Sequence, residues 1–204
     1  MDRERPTSDI AFTDAVKQLQ TRSGSRDTYA KVEARGGWSD RITPQLAGFI
    51  AQQNSFYLAT VNAEGQPYIQ HRGGPRGFLK PIDEQTLAMA DFRGNRQFIS
   101  QGNLLESRKA FIFLMDYANR RRIKIWGEAW MIEDDDALLQ SVMPEGYAAA
   151  PERVLLFKIS AWDPNCPQHI PRKIDADEVE VMLAERDREI AELKARIEQL
   201  QQAV

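Results

Sequence analysis

Four short segments bring together residue types that bind polar or anionic ligands. Gln70-His71-Arg72-Gly73-Gly74-Pro75 closes a predicted strand. Adjacent glycines let a backbone approach a ligand closely and leave amide donors open, and His71 and Arg72 add donors beside them. The plain alternative is a strand-end turn with a solvated basic pair. The spacing is not the G-x-G-x-x-G that precedes a dinucleotide-binding helix, so a doubly wound nucleotide fold is excluded. Ala90-Asp91-Phe92-Arg93-Gly94-Asn95-Arg96 runs from a strand end toward a predicted helix. Glycine, a cation and a helix start suit a phosphate monoester; the alternative is an ordinary start capped by Asp91 or Asn95. In Arg120-Arg121-Arg122, followed by Lys124, four positive charges crowd into five residues. They repel unless an anion or carboxylate is near, and alternation puts Arg122 and Lys124 on one strand face. The fourth segment, Asp163 to Arg172, holds three prolines and reads as a rigid ligand-contacting or interface arm. Its Cys166 has no histidine or acid at an activating spacing, so no nucleophilic role is assigned.

The elements that must hold these segments are mainly β. Phe56–Val61 is aromatic and β-branched, a turn at Asn62-Ala63-Glu64-Gly65 follows, and a second extended run starts at Pro67. Residues 78–80 and 86–89 flank a second hairpin turn, Lys109–Tyr117 is the most strand-like run, and 121–131 alternates with Ile123, Ile125 and Gly127 on one face. A final strand covers 154–162. Helices are predicted over 12–19, from Thr43-Pro44 with Thr43 as cap, over 95–105 and over 135–142. Six or seven strands at hairpin spacing predict a mainly β fold with peripheral helices, an antiparallel barrel rather than βαβ units.

Composition excludes several classes. Among 204 residues, 27 Lys+Arg face 30 Asp+Glu, a net charge of −3 that disfavours general nucleic-acid binding. The longest apolar run, Ala110–Met115, is too short to span a membrane, and no apolar signal segment opens the chain. One cysteine and two histidines argue against a disulfide framework or a zinc site, so no metal is expected and a cytoplasmic setting is. Residues 176–204 lack Gly and Pro. Leu183, Ile190, Ile197 and Val204 form one seven-spaced row, and Val179, Arg186, Leu193 and Leu200 a second. β-Branched residues in one row with Leu in the other favour a parallel two-stranded coil, with Glu189 and Lys194 as oppositely charged flanks and Arg186 as a defect. The alternative is one amphipathic helix packed on its own domain. The expected division is an arm at 1–43, a central domain at 44–172 and a coiled-coil helix at 173–204.

The runs FYLATVNAEGQPYIQHRGGP, LAMADFRGNRQFISQGNLLES, RRRIKIWGEAW and NCPQHIPR, in this order, resemble the pyridoxamine 5'-phosphate oxidase-like, FMN-binding split-barrel superfamily from about Gln45 to Arg172. The resemblance implies a six-stranded antiparallel split barrel, a homodimer with FMN at the subunit interface, and a small-molecule substrate. It places Gln70, His71, Arg72, Gly73 and Gly74 along the flavin ring and ribityl chain, and Met89, Ala90 and Asp91 beside the ribityl chain. Asn95 and Arg96 match the phosphate-holding pair, with Asn95 where relatives carry a cation, a loss Arg93 or Arg122 would offset. Arg122 would reach the flavin of the neighbouring subunit, and Asn165–Ile170, with Gln168 and His169, would close over it. His71, Arg72 and His169 are the groups expected nearest the reacting ring; none has an acid–base role that the sequence defines. The Arg-x-His substrate element of true pyridoxamine 5'-phosphate oxidases is missing, which argues against vitamin B6 oxidation. The function implied is an FMN-dependent oxidoreductase. The alternatives are a non-catalytic flavin store or sensor and a haem- or deazaflavin-binding barrel.

Overall fold

A computed structural model describes residues 5–164 and 167–202. Contacts divide it into a unit of residues 1–116 with 121–167 and a second unit of 117–120 with 168–204.

The first unit is built on one antiparallel sheet. Its strands are β1 (Ser55–Val61), β2 (Pro67–Gly73), β3 (Lys80–Pro81), β4 (Thr86–Phe92), β5 (Lys109–Asp116), β6 (Arg121–Ile132) and β7 (Pro151–Pro164), in the order β2-β1-β5-β6-β7-β4-β3. The expectation of a mainly antiparallel β fold is met; the count is seven, within the six or seven read from the residues and one more than the resemblance implies. The additional strand is the two-residue β3, held to β4 by Lys80↔Ala88 and Pro81↔Leu87. Nor do hydrogen bonds close the sheet into a barrel: β2 and β3 are its two edges. It curls instead, far enough for Arg72 on β2 to pair with Asp91 on β4.

Strand alternation creates the core. Leu58, Ile112, Leu114 and Ile125 are fully buried on the inner face, with Phe56, Leu87, Phe157 and Ile159 beside them. Helix α3 (Pro44–Ala51) adds Leu46, Phe49 and Ile50; its first turn is capped as expected by Thr43, whose Oγ1 accepts from Leu46 N at 3.2 Å. Gly127 sits at a bulge between Trp126 and Gly127, where β7 crosses so closely that a Cβ would meet Lys158 O at 2.1 Å.

Two additions cover parts of the outer face. Helix α5 (Asp136–Val142) sets Val142, Leu138 and Leu139 on Ala88, Ala90 and Val154. The segment before α3 contains α1 (Asp14–Arg22) and α2 (Arg26–Glu33), the latter not expected from sequence. Phe12 meets Trp38 edge-on at 4.9 Å, and Trp38 stacks on Trp126 at 4.9 Å, so the arm seats an aromatic column on β6. Helix α4 (Ile99–Glu106) lies against the sheet, where Asn103 Nδ2 donates to buried Thr60 Oγ1 at 3.0 Å.

In the second unit, Lys173 Nζ lies 4.5 Å from the Tyr117 ring centre, and helix α6 spans Ala176–Gln202 without a buried residue. Among the described residues no helix is long and apolar enough to cross a membrane, and no group of three or more His, Cys, Asp or Glu could hold a metal ion.

Candidate functional site

The alternation of β2 sorts the first candidate segment into two sets. Tyr68, Gln70 and Arg72 face inward and line a cavity of about 310 Å³, whereas Ile69 and His71 face outward. His71 meets Tyr57 edge-on at 5.7 Å, on the opposite side of the sheet from Arg72. The glycines that follow serve packing: a Cβ on Gly74 would lie 2.7 Å from the Phe78 ring, and Gly74 N donates to Asn54 O at 2.9 Å. Gly73 pairs with Ser55 at the end of the β1–β2 ladder.

The cavity lies between β2, the end of β4, the start of β7 and the segment leading into α4, and Asp91, Asn95, Arg96, Phe98, Ser100, Glu152 and Arg153 complete its wall. Asp91 is its anchor. One carboxylate oxygen receives Arg72 Nη1, and the other lies 3.4 Å from Arg153 Nε. Arg153 also pairs with Glu152 at 2.8 Å and donates to Gln101 Oε1. Arg96 Nη2 donates to Glu152 Oε1 at 2.6 Å, and Arg93 Nε stands 3.9 Å from the same oxygen. Four guanidinium groups thus meet Asp91, Glu152 and the exposed Glu133, so positive charge is in excess. The Nε atoms of Arg72 and Arg153 are buried with no hydrogen-bond partner among the described residues. The excess of guanidinium groups around the cavity suits an anionic or carbonyl-rich ligand.

The entry to α4 adds more donors. The predicted helix over 95–105 begins only at Ile99, because Arg96 and Phe98 take positive φ of 59° and 56°. Neither expected cap is one: Asn95 Oδ1 accepts from Gln97 N at 3.2 Å, and Asp91 is taken by arginines. Phe98 occupies the cap position without a side-chain cap bond, so the first-turn amides and the positive end of the helix dipole adjoin Arg96. On the inner wall Ser100 Oγ donates to Gln70 Oε1 at 2.7 Å, which fixes the amide so that its nitrogen is the donor offered to a ligand.

The hydrogen bond from Arg96 holds the Glu152 carboxyl below the ordinary glutamate range. Its contribution to stability is therefore present above the ordinary value and is lost as pH falls through the lowered one. Glu152→Gln should flatten the acid limb of a stability–pH profile measured by urea unfolding; an unchanged limb would show that this pair does not contribute to it.

Of the residues singled out by sequence, the cavity gathers Gln70, Arg72, Asp91, Asn95 and Arg96. Met89 is buried in the core and Ala90 under α5. Arg122 is on the outer face of β6, opposite Met115, with its Nε buried and unpaired among the described residues, while Lys124 pairs with Asp163 at 2.7 Å. Gln168 and His169 belong to the second unit, His169 with φ of 62°, and Asn165 and Cys166 lie outside the described residues. Arg153, Glu152 and Gln101 join the cavity although no motif in the sequence marks them. Arg153 was the findable one: a cation beside the apolar run from Val154 signals a buried charge that needs a counterion.

A curled antiparallel sheet with a cation-rich cavity between β2, β4 and β7 defines the architecture of this chain. The family model for pyridoxamine 5'-phosphate oxidase matches residues 42–166, and the chain belongs to that family. Among solved structures, HupZ of Group A Streptococcus superposes with a TM-score of 0.50 at 18% identity, covering 65% of this chain and 99% of that one. An FMN-binding protein from Syntrophomonas wolfei gives 0.46 at 16% identity, with 76% and 98% covered. HutZ, the haem storage protein from Vibrio cholerae, gives 0.40 at 16%, with 59% and 90% covered. These likenesses concern the fold alone. No curated protein matches the sequence.

Proposed function

We propose that the protein is a cytoplasmic, homodimeric FMN-binding flavoprotein that acts as an oxidoreductase on a small organic substrate, and that it is not itself a vitamin B6 oxidase. The supporting observation is the cavity, which sets Arg96, the uncapped first turn of α4 and the guanidinium groups of Arg72 and Arg153 around one space. In this reading Arg96, Asn95 and the α4 amides bind the phosphate. Gln70 and Arg72 donate to the polar atoms of the ribityl chain and ring, while Asp91 keeps Arg72 and Arg153 in place. The β4 edge from Met89 onward has no strand of the β3 hairpin beside it, which gives the ribityl chain a backbone to follow. FMN, when bound, supplies the hydride and electron transfer. Residues 1–43, 44–172 and 173–204 are then the arm, the flavin-binding domain and the coiled-coil helix.

Two features favour a dimer. About 310 Å³ lies at the small end of ligand cavities, enough for part of a mononucleotide, with a second chain covering the rest. On the outer face, Ile69, Tyr57, Phe111 and Phe113 stand in adjacent register rows; Ile69 is 64% and Tyr57 40% exposed. Such a patch suits association with a second copy, and in this reading Arg122, on the same face, reaches the partner's flavin.

Arg96→Ala tests the phosphate assignment. A charge-assisted hydrogen bond contributes about 1.5–3 kcal/mol, so FMN should bind roughly ten- to a hundredfold more weakly by fluorescence titration. Riboflavin, which lacks the phosphate, should bind the variant and the parent alike. Equal FMN affinity would remove Arg96 from the phosphate site.

A further inference from the structure

Helix α6 is 27 residues long, about 40 Å, and none of its residues is buried. Leu183, Ile190, Leu193, Ile197 and Leu200 are each about half exposed, on one seam. A stripe of this length in water needs a partner helix. β-Branched residues in one seam row with Leu in the other select two strands; they do not by themselves select the direction of the second. The flanking charges do.

In a parallel, in-register pair, Arg186 would face the Arg186 of the other chain across the seam, and the flanks would supply the Glu189–Lys194 contact. Residues 176–189, which carry an excess of four negative charges, would lie against their own copy. Reversing one strand changes each of these terms. Leu183 then layers on Leu200, Ile190 on Leu193 and Arg186 on Ile197, so the two arginines separate. The flanks become Asp187 with Lys194 and Glu189 with Arg196, each occurring twice by symmetry. The acidic half then meets residues 190–202, whose charges cancel, and the two helix dipoles oppose. Arg186 keeps an acceptor in its own chain, Glu189 at 2.8 Å.

We propose that α6 pairs antiparallel with the α6 of a second copy of this chain, in the register that sets Leu183 against Leu200. This goes beyond the flavin-binding reading and does not rest on it. The orientation differs from the parallel coil that the seam composition suggested, because the flanking charges decide direction where the seam does not.

The test uses the full chain in a Cys166→Ser background, equilibrated in a glutathione redox buffer and read on non-reducing gels. Leu183→Cys alone and Leu200→Cys alone should remain uncrosslinked, whereas the double variant should form a covalent dimer in more than half of the chains. Adding Lys194→Asp should lower that yield at least threefold, and adding Asp187→Lys as well should restore it. Self-crosslinking of either single variant would establish the parallel pair and overturn the proposal. Absence of crosslinking in the double variant, with the chain folded by circular dichroism, would equally overturn it.

Discussion

An Asp91→Asn variant should lose about 3–5 kcal/mol of folding stability, the usual cost of removing one partner from a buried ion pair. Asp91 is 8% and Arg153 9% exposed, and Arg72 reaches the same carboxylate from the opposite edge of the sheet. The asparagine keeps the shape and part of the hydrogen bonding but leaves two guanidinium groups without their shared counterion. Because β2 and β4 are not joined by backbone hydrogen bonds, this carboxylate also holds the curl of the sheet. Urea unfolding should show a lower midpoint at an unchanged slope. A midpoint equal to that of the parent would mean that Asp91 does not neutralise the arginines. A smaller effect is expected from Glu152→Gln, whose partner Arg96 is half exposed.

The second large effect is expected at Gly127. An alanine Cβ there would lie 2.1 Å from Lys158 O and 2.6 Å from the Phe157 ring, so backbone must move. Overpacking of this kind costs about 1–3 kcal/mol, and more where the obstacle is main chain. Gly102 is the matched control: it lies inside α4 with nothing within 4 Å of its added methyl. Gly102→Ala should stabilise the protein by about 0.5–1 kcal/mol through helix propensity. Thermal unfolding of the pair should move in opposite directions; a neutral Gly127→Ala would show that β6 and β7 separate easily at the bulge.

β6 was legible because its alternation is regular: Ile123, Ile125 and Gly127 read as an inward face, and they are one. The same two-residue period separates His71 from Arg72, so a run of polar residues in the sequence divides into a cavity wall and an outer surface. The start of α4 was not legible. Arg96 and Phe98 adopt left-handed backbone angles that only the surrounding structure imposes, and no residue type announces them. Arg153 escaped notice because the apolar run begins at Val154, while β7 begins three residues earlier, at Pro151. The arm was opaque for a related reason. Its main packing is Trp38 on Trp126, a contact between residues 88 apart in sequence, to which no local periodicity points.

The proposed function requires the cavity to be a flavin site. The most direct measurement is the visible spectrum of the protein purified without added cofactor, with any released ligand identified by mass. Flavin absorption bands with FMN in the released fraction are expected, or FMN bands regained on adding the cofactor to colourless protein. Porphyrin or deazaflavin bands would keep the sheet and replace the chemistry assigned to it. Colourless protein that fails to bind added FMN would contradict the account.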